Sequence, residues 1–306
     1  MKSAFKDSFL KRAEELMGKE SKEYLSYVEK PLRKSIRVNT LKISPDDFIK
    51  RMKNWKLEKI RWTDCGYFVD EKGLGNTLEH FLGYFYVQGA SSMIPPIVLN
   101  PEKNEIILDM CAAPGSKTGQ MAAMMENTGL IVANDVRLDR IKAMSTNLQR
   151  IGAINLIITR NDGMAFHRRG ITFDKVLLDA PCSGEGMFRK DYKVAKYWSE
   201  HLVKDSSSIQ KSLILAGFDC LKENGQMVYS TCTLSPEEDE EVIDFLLRKR
   251  ENSAVEKVKI TGFKTRSGIS EWRGKSYSDE VKKCARIYPQ DNDTEAFFVS
   301  KVVKKA

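Results

Sequence analysis

Apolar and polar positions alternate in two different ways along this chain, and the change falls near residue 80. Before that point, apolar residues recur at helical spacing within 6–29, and a strand-like alternation follows at 35–42. A serine–proline pair at 44–45 is typical of a helix start, and short strands are expected at 57–60 and 67–69. The pattern predicts a small α+β domain over residues 1–80.

Residues 81–306 show a regular alternation of short apolar strands and amphipathic helices, which predicts an α/β domain with a mostly parallel, doubly wound sheet. The predicted strands lie at 105–110, 130–136, 155–159, 173–179 and 226–231, and the helices at 90–99, 116–127, 139–151, 203–222 and 237–250. Closing strands are expected at 286–288 and 297–303, antiparallel at the sheet edge. Residues 261–283, rich in Lys, Arg, Ser and Gly, predict a flexible surface loop.

Composition narrows the class of protein. No apolar run approaches the roughly 20 residues of a membrane span, and the first residues mix both charge signs without the apolar core of a secretory signal. The six cysteines form no CxxC pair and the three histidines lack ligand-like spacing. We therefore expect a cytoplasmic protein with no membrane contact, no disulfide framework and no metal site.

The net charge of +8 is concentrated at one end of the chain. Residues 1–63 contain 17 Lys and Arg against 9 Asp and Glu, so the other residues hold 33 of each sign. Such a segment favours contact with a polyanion, above all nucleic acid, although a solvated basic surface is the alternative. Arg33, Lys34 and Arg37 are the candidate phosphate contacts, and each is also compatible with a solvated surface charge.

The segment 107–122 combines a strand, a turn of small residues and a helix. It lacks the G-x-G-x-x-G of a dinucleotide fold and a phosphate loop in its proper frame. The small turn nevertheless lets a ligand approach the backbone. The candidate cofactor contacts in this segment are Cys111, Ala112, Ala113, Pro114, Gly115, Ser116 and Lys117.

Three acids, Asp135, Asp162 and Asp179, are each predicted to follow or end a strand of this sheet. A carboxylate at such a position can accept hydrogen bonds from ribose hydroxyls or an adenine edge. Any one of them could instead cap a helix. Together they predict an adenosine pocket without phosphate-binding groups, which fits S-adenosylmethionine, a nucleoside that carries a sulfonium and no phosphate.

A second candidate site follows the strand at 173–179. The sequence VLLDAPCSGEGMFRK at 176–190 places Cys182 between a carboxylate, Asp179, and a glycine-rich turn that ends in Arg189 and Lys190. The end of a parallel strand is a usual place for a ligand. A buried structural thiol is the alternative for an isolated cysteine.

Taken together, these motifs resemble the Sun-type (Nop/Sun) RNA cytosine-5 methyltransferases over nearly the whole chain. The matching segments are RVNTLK at 37–42, YVQGASSMIPP at 86–96, DMCAAPGSKT at 109–118, DAPCSGEGMFRK at 179–190, YSTCTLSPEEDE at 229–240 and RIYPQDNDTEAFFVSK at 286–301. The resemblance implies a Rossmann-like methyltransferase fold, S-adenosyl-L-methionine as cofactor, and RNA as partner, with tRNA favoured and rRNA the main alternative. Arg140 joins the cofactor contacts, and Arg189 and Lys190 join the RNA contacts.

The resemblance also implies the catalytic roles. DNA cytosine-5 methyltransferases attack the base with the Pro-Cys cysteine, here Cys182, whereas Sun-type RNA enzymes use the Thr-Cys cysteine, here Cys232, and Cys182 then assists product release. Asp179 is expected to hydrogen-bond the cytosine, and Lys117 to hold the thiolate or the base. A non-catalytic RNA-binding or assembly protein on the same scaffold is the alternative, and the oligomeric state is open with a monomer favoured.

Overall fold

Two β-sheets organise the structure, a computed structural model that describes residues 5–306. The first four strands are β1 Ser35–Val38, β2 Leu57–Lys59, β3 Gly66–Val69 and β4 Phe85–Val87. The remaining strands are β5 Ile106–Asp109, β6 Leu130–Asp135, β7 Leu156–Arg160, β8 Phe173–Asp179, β9 Leu221–Thr231, β10 Ser253–Glu256, β11 Arg266–Ser267, β12 Glu271–Trp272, β13 Lys275–Ser276, β14 Ala285–Ile287 and β15 Phe297–Lys304.

Helices cover both faces of the larger sheet and flank the smaller one. They are α1 Asp7–Met17, α2 Ser21–Val28, α3 Pro45–Arg51, α4 Leu78–Phe81, α5 Ile94–Leu99, α6 Ser116–Met124, α7 Leu138–Ile151, α8 Val194–Tyr197, α9 Glu200–Asp219, α10 Glu240–Lys249 and α11 Pro289–Asn292. The predicted serine cap is present, since the Ser44 hydroxyl accepts the Asp47 N–H at the start of α3.

The larger sheet has the order β7-β6-β5-β8-β9-β15-β14-β11. Strands β5 to β9 pair in parallel, whereas β15 and β14 are antiparallel, which confirms the predicted doubly wound sheet and its closing strands. The strand order reverses between β5 and β8. A crevice at the carboxyl ends of these two strands is the usual ligand site of such a sheet.

Successive residues of the central strands supply opposite cores, as the two-residue period of a strand requires. In β8, Val176 and Leu178 join the cluster under α9 and α10, while Leu177 joins the cluster under α6 and α7. A short run of consecutive apolar residues, such as 176–178, therefore supplies both cores at once. This is why the strand positions could be predicted from the sequence.

The smaller sheet is antiparallel in the order β2-β3-β1-β4. Strand β4, which lies beyond residue 80, pairs with β1 and so belongs to this sheet. Helices α1 and α2 instead pack against the segment after β8, where the Phe9 ring lies 5.1 Å from the rings of both Phe188 and Trp198. The N-terminal helices thereby brace the segment that follows Cys182.

The expectation of a flexible loop at 261–283 is wrong. This segment contains β11 and the β12–β13 hairpin, and the side chains of Trp272 and Tyr277 are buried in the main core. The Trp272 indole N–H also donates to Glu237 at 3.0 Å. These two buried aromatic side chains hold the segment in place. Because most of its other residues are polar, the composition of the segment predicted a loop instead.

Candidate active site

A cleft of about 280 Å³ lies at the carboxyl ends of β5, β8 and β9, beside the point where the strand order reverses. Both candidate motifs meet there, because neighbouring parallel strands end at the same edge of a sheet. The sequence-predicted residues that line the cleft are Cys111, Ala112, Ala113, Pro114, Ser116, Lys117, Arg140, Asp179, Lys190 and Cys232. We call the part formed by Asp109 and residues 111–116 the cofactor end, and the part around Asp179 and the two cysteines the cysteine end.

The small-residue turn at the cofactor end is fixed by its backbone carbonyls. The Tyr86 hydroxyl and the Asn147 amide donate to the Pro114 carbonyl at 3.2 and 3.0 Å, and the Arg140 guanidinium donates to the Ala113 carbonyl. Gly115 has a φ of +94° at the start of α6. A rigid turn without large side chains leaves room for a ligand against the backbone.

Asp109 ends β5 at the floor of this part of the cleft, and its role was missed in the sequence. Its Oδ2 accepts the Thr118 hydroxyl at 2.7 Å, but Oδ1 is buried with no donor facing it. Burial raises the pKa of Asp109 to about 7. Asp109 is the first residue of the DMCAAPGSKT motif. Its place in that motif is the sequence feature that could have identified it as a site residue.

The three strand-end acids do not form one group. Asp135 is buried beside the cleft, where its Oδ1 accepts the Arg137 N–H at 2.9 Å and its Oδ2 lies 3.4 Å from Arg140 Nη1. Asp162 is exposed, lies outside the cleft lining, and accepts the Met164 N–H at 3.0 Å as a helix cap. Of the three predicted acids, only Asp135 and Asp179 therefore lie in or beside the cleft. Asp109, which was not predicted, is a third acid there.

The cysteine end brings Cys182 and Cys232 together, with their Sγ atoms 2.8 Å apart. The hydrogen bond to Cys232, together with burial, raises the pKa of Cys182 well above its usual value. This raised pKa favours the neutral thiol of Cys182. Beside the pair, Asp179 accepts the Lys117 ammonium at 2.6 Å and the Ser230 hydroxyl at 2.8 Å.

The wall opposite these strands comes from residues that no local motif singled out. Glu295 is buried and accepts the Ser91 hydroxyl at 2.6 Å. Gln88 and Phe297 also line the cleft, and the Phe297 ring lies 5.7 Å from Lys117 Nζ. These positions lie within the family-like segments 86–96 and 286–301, so the resemblance marked the segments without assigning the side chains.

The five candidate RNA contacts separate into two groups. Arg33, Lys34 and Lys190 reach solvent. Arg37 is 1% exposed and donates to Gln88 Oε1 at 2.8 Å, and Arg189 is buried and donates to Asp293 and to three backbone carbonyls. Arg37 and Arg189 stabilise the fold, which corrects the expectation that they bind phosphate.

The polar groups at the cofactor end fit an adenosine-type ligand without phosphate. Asp109 Oδ1 is a buried acceptor with no hydrogen-bond partner among the described residues, and the turn presents backbone rather than large side chains. With the parallel sheet and its switch-point cleft, this arrangement defines an S-adenosylmethionine-dependent methyltransferase.

Comparison with known proteins gives the family. Residues 96–303 match the family model described as 16S rRNA methyltransferase RsmB/F, and residues 5–90 match the N-terminal domain of 16S rRNA methyltransferase RsmF. The chain belongs to this family. It is therefore an RNA cytosine-5 methyltransferase with S-adenosylmethionine as cofactor, as the sequence resemblance implied, and not a non-catalytic scaffold.

Individual relatives extend the likeness. The chain is 48% identical to the tRNA (cytosine(49)-C(5))-methyltransferase of Pyrococcus abyssi over 98% of its own length and 99% of that protein. It is 44% identical to the ribosomal RNA small subunit methyltransferase F of Shewanella loihica, of which it covers 59%. Among solved structures, a methyltransferase homolog protein from Pyrococcus horikoshii (34% identity, TM-score 0.88, 98% of this chain and 95% of that one) and NSun6 from the same organism with SFG (26% identity, TM-score 0.87, 99% of both chains) share the fold.

Within 5–306, no cluster of three or more His, Cys, Asp or Glu side chains is arranged to hold a metal ion. No helix in the same range is both long and apolar enough to cross a membrane.

Proposed function

We propose that the enzyme methylates carbon 5 of a cytosine in tRNA and that Cys232 is its nucleophile. The observation that carries the proposal is the pair of sulfurs at 2.8 Å, one of them from a cysteine that lines the same cleft as the Lys117–Asp179 ion pair. Of the two cysteines, only Cys232 lines the cleft. Burial and the hydrogen bond to Cys232 raise the pKa of Cys182, which favours its neutral thiol.

The chemistry follows from the poor nucleophilicity of carbon 5. Addition of the Cys232 thiolate to carbon 6 makes the ring an enamine, and one hard step becomes two easier ones. Asp179, held by Lys117 and Ser230, hydrogen-bonds the base near ring nitrogen 3 and supplies the proton that offsets the charge developing there. S-adenosylmethionine supplies a methyl group activated on a sulfonium. The carbon-5 proton then passes to a base, its electron pair restores the double bond between carbons 5 and 6, and the Cys232 thiolate leaves carbon 6 with assistance from Cys182.

The target base must leave its stack to reach Cys232, so the flanking RNA lies along the surface beside the cleft. The cleft shares Val87, Gly89 and Lys190 with a groove of about 520 Å³. That groove shares Arg33 and Lys34 with a third one of about 760 Å³. A continuous path with three exposed cations supports RNA binding along the basic N-terminal domain.

The near-complete mutual coverage with the Pyrococcus abyssi tRNA enzyme supports tRNA over rRNA as the substrate. The matches to the family models of 16S rRNA methyltransferases make rRNA the second candidate. Neither RNA requires an oligomer or a membrane, and we assign the enzyme to the cytoplasm as a monomer.

Methyl transfer from labelled S-adenosylmethionine to unmodified tRNA and to 16S rRNA tests this assignment. We expect 5-methylcytosine in tRNA, and none with Cys232→Ala. The control is Cys65→Ser, which changes a half-buried cysteine outside the cleft. Methylation confined to rRNA would transfer the proposal to the second candidate, and no methylation of either RNA would refute it.

A further inference from the structure

The acidic turn after Cys232 contains carboxyl groups that the proposed mechanism does not use. Glu238 and Asp239 are both 0% exposed, and each keeps one buried oxygen, Glu238 Oε1 or Asp239 Oδ2, without a hydrogen-bond partner. Two adjacent buried carboxyls are costly, since apolar residues of similar size would stabilise a core better. Their hydrogen bonds show which parts of the chain these two carboxyl groups hold in place.

Glu238 holds the loop of Cys182 from both sides. Its Oε2 accepts the N–H of Ser183, the residue after Cys182, at 2.9 Å. The same oxygen accepts the Gln210 amide at 2.9 Å, and that amide also donates to the carbonyl of Pro181, the residue before Cys182, at 2.8 Å.

Asp239 holds the other cysteine. Its Oδ1 accepts the hydroxyl of Thr231, the residue before Cys232, at 2.6 Å. The turn itself is anchored to β9, because the buried Tyr229 hydroxyl donates to the Glu238 carbonyl at 2.5 Å. One rigid turn thus contacts the immediate neighbours of both sulfurs.

We infer that Glu238 and Asp239 are positioning residues that together set the separation and alignment of the Cys182 and Cys232 sulfurs. Neither carboxyl touches the cleft, so both act through the cysteine loops. The inference rests on the proposed function only for its kinetic consequence. A displaced pair slows the steps that need both sulfurs while RNA and cofactor binding stay unchanged.

A thiol-oxidation assay measures the sulfur geometry without RNA. The diazene oxidant diamide takes up two electrons and two protons as two thiols form an S–S bond, and peptide mapping reports the Cys182–Cys232 product. Disulfide formation depends steeply on geometry. We expect Glu238→Ala and Thr231→Val to slow it about fivefold or more, and Glu238→Gln, which keeps an acceptor oxygen, to restore it.

Glu237→Gln is the matched control, since Glu237 binds Arg12 and Trp272 and no cysteine loop. It should lower thermal stability and leave the oxidation rate unchanged. Should Glu238→Ala fail to fold, Gln210→Met tests the Cys182 side and Thr231→Val the Cys232 side. Oxidation at the wild-type rate in the folded variants of both sides would overturn the inference.

Kinetics give the second readout. We expect kcat for RNA methylation to fall about tenfold or more in Glu238→Ala and Thr231→Val, with KM for RNA and for S-adenosylmethionine within about twofold of wild type. A merely structural role would lower the amount of folded enzyme and leave both the oxidation rate and kcat per folded molecule unchanged. An inactive wild type would refute the proposed function, while the oxidation assay would still decide the positioning role.

Discussion

The two ends of the cleft each contain a carboxyl group, and the two groups lie in opposite electrostatic environments. Asp109 at the cofactor end is buried with no ion-pair partner among the described residues, and burial raises its pKa to about 7, whereas Asp179 at the cysteine end is paired with Lys117 at 2.6 Å. An unpaired buried carboxyl is costly, and it is tolerated where a ligand supplies the missing partner. The cofactor end is therefore completed by its ligand, whereas the cysteine end is preorganised before RNA arrives.

The largest expected effect separates the two sulfurs of the cysteine end. Cys232→Ala removes the proposed nucleophile, so we expect methylation to fall by about 10³-fold or more and no covalent RNA adduct to form. In the proposed mechanism, Cys182→Ala leaves the attack intact and removes the thiol that assists release. It should lose turnover and accumulate an adduct that survives denaturing gel electrophoresis.

The gel pattern can also break this assignment. An adduct formed by Cys232→Ala and absent from Cys182→Ala would mean that Cys182 attacks the base, as in the DNA enzymes. Cys65→Ser, outside the cleft, should behave like wild type and calibrates the assay.

At the cofactor end, the expected effect is on stability and depends on pH. The pKa of Asp109 is about 7 in the folded protein and near 4 in an unfolded chain, so the folded state binds an extra proton between these values. Stability from this group is present at low pH and is lost as pH rises through about 7. Asp109→Asn has no such proton, so the excess of its free energy of unfolding over that of wild type should grow by on the order of 3 kcal/mol between pH 5 and pH 8.

Chemical denaturation at both pH values, without cofactor, measures this difference. Other buried acids such as Glu238 titrate equally in both proteins and cancel. The exposed Asp46→Asn is the control and should show the same difference from wild type at both pH values. A difference that does not change with pH would mean that Asp109 is ionised throughout.

The same contrast explains what could be predicted from the sequence. The cofactor end and both cysteine motifs were found because each is a short local pattern at a strand end, and the ends of parallel strands meet. The strand at 173–179 has the predicted bounds, with the apolar run of residues 176–178 near its carboxyl end. Strand β9 starts five residues before its predicted start. Its first part was not predicted, because Lys222, Glu223, Asn224 and Gly225 lack the apolar pattern of a strand.

Side chains whose environment depends on distant partners were not predictable. The sequence predicts Arg37 and Arg189 as RNA contacts, but their acceptors on Gln88, Asp293 and Thr294 lie 51, 104 and 105 residues away in sequence. Asp162 illustrates the reverse case. Its cap to Met164 is local, and its sequence position alone could not distinguish a cap from a cofactor contact.

The preorganised pair at the cysteine end can be tested by removing its cation. Lys117→Met leaves Asp179 with only the Ser230 hydroxyl, so we expect the methylation rate to fall about thirtyfold while the Kd for S-adenosylmethionine changes by about twofold. Lys175→Met is the matched control, because Lys175 forms a buried ion pair with Glu105 at 2.9 Å near the opposite end of β8. It should lower stability and spare the rate. Equal rate losses in both variants would mean that the Lys117 pair serves stability alone.

The smallest effect concerns the turn at the cofactor end. A Cβ on Gly115, at a φ of +94°, would lie 3.1 Å from Met144 Cγ and 3.2 Å from Leu148 Cγ. Gly115→Ala should therefore lower the free energy of unfolding by about 2 kcal/mol and weaken cofactor binding. Gly170→Ala, at a φ of +66° with no atom within 4 Å of its Cβ, should cost only the backbone strain of about 1 kcal/mol. Equal losses of stability with unchanged cofactor affinity would show that the turn needs only its backbone conformation, and that the cofactor end does not depend on close packing against α7.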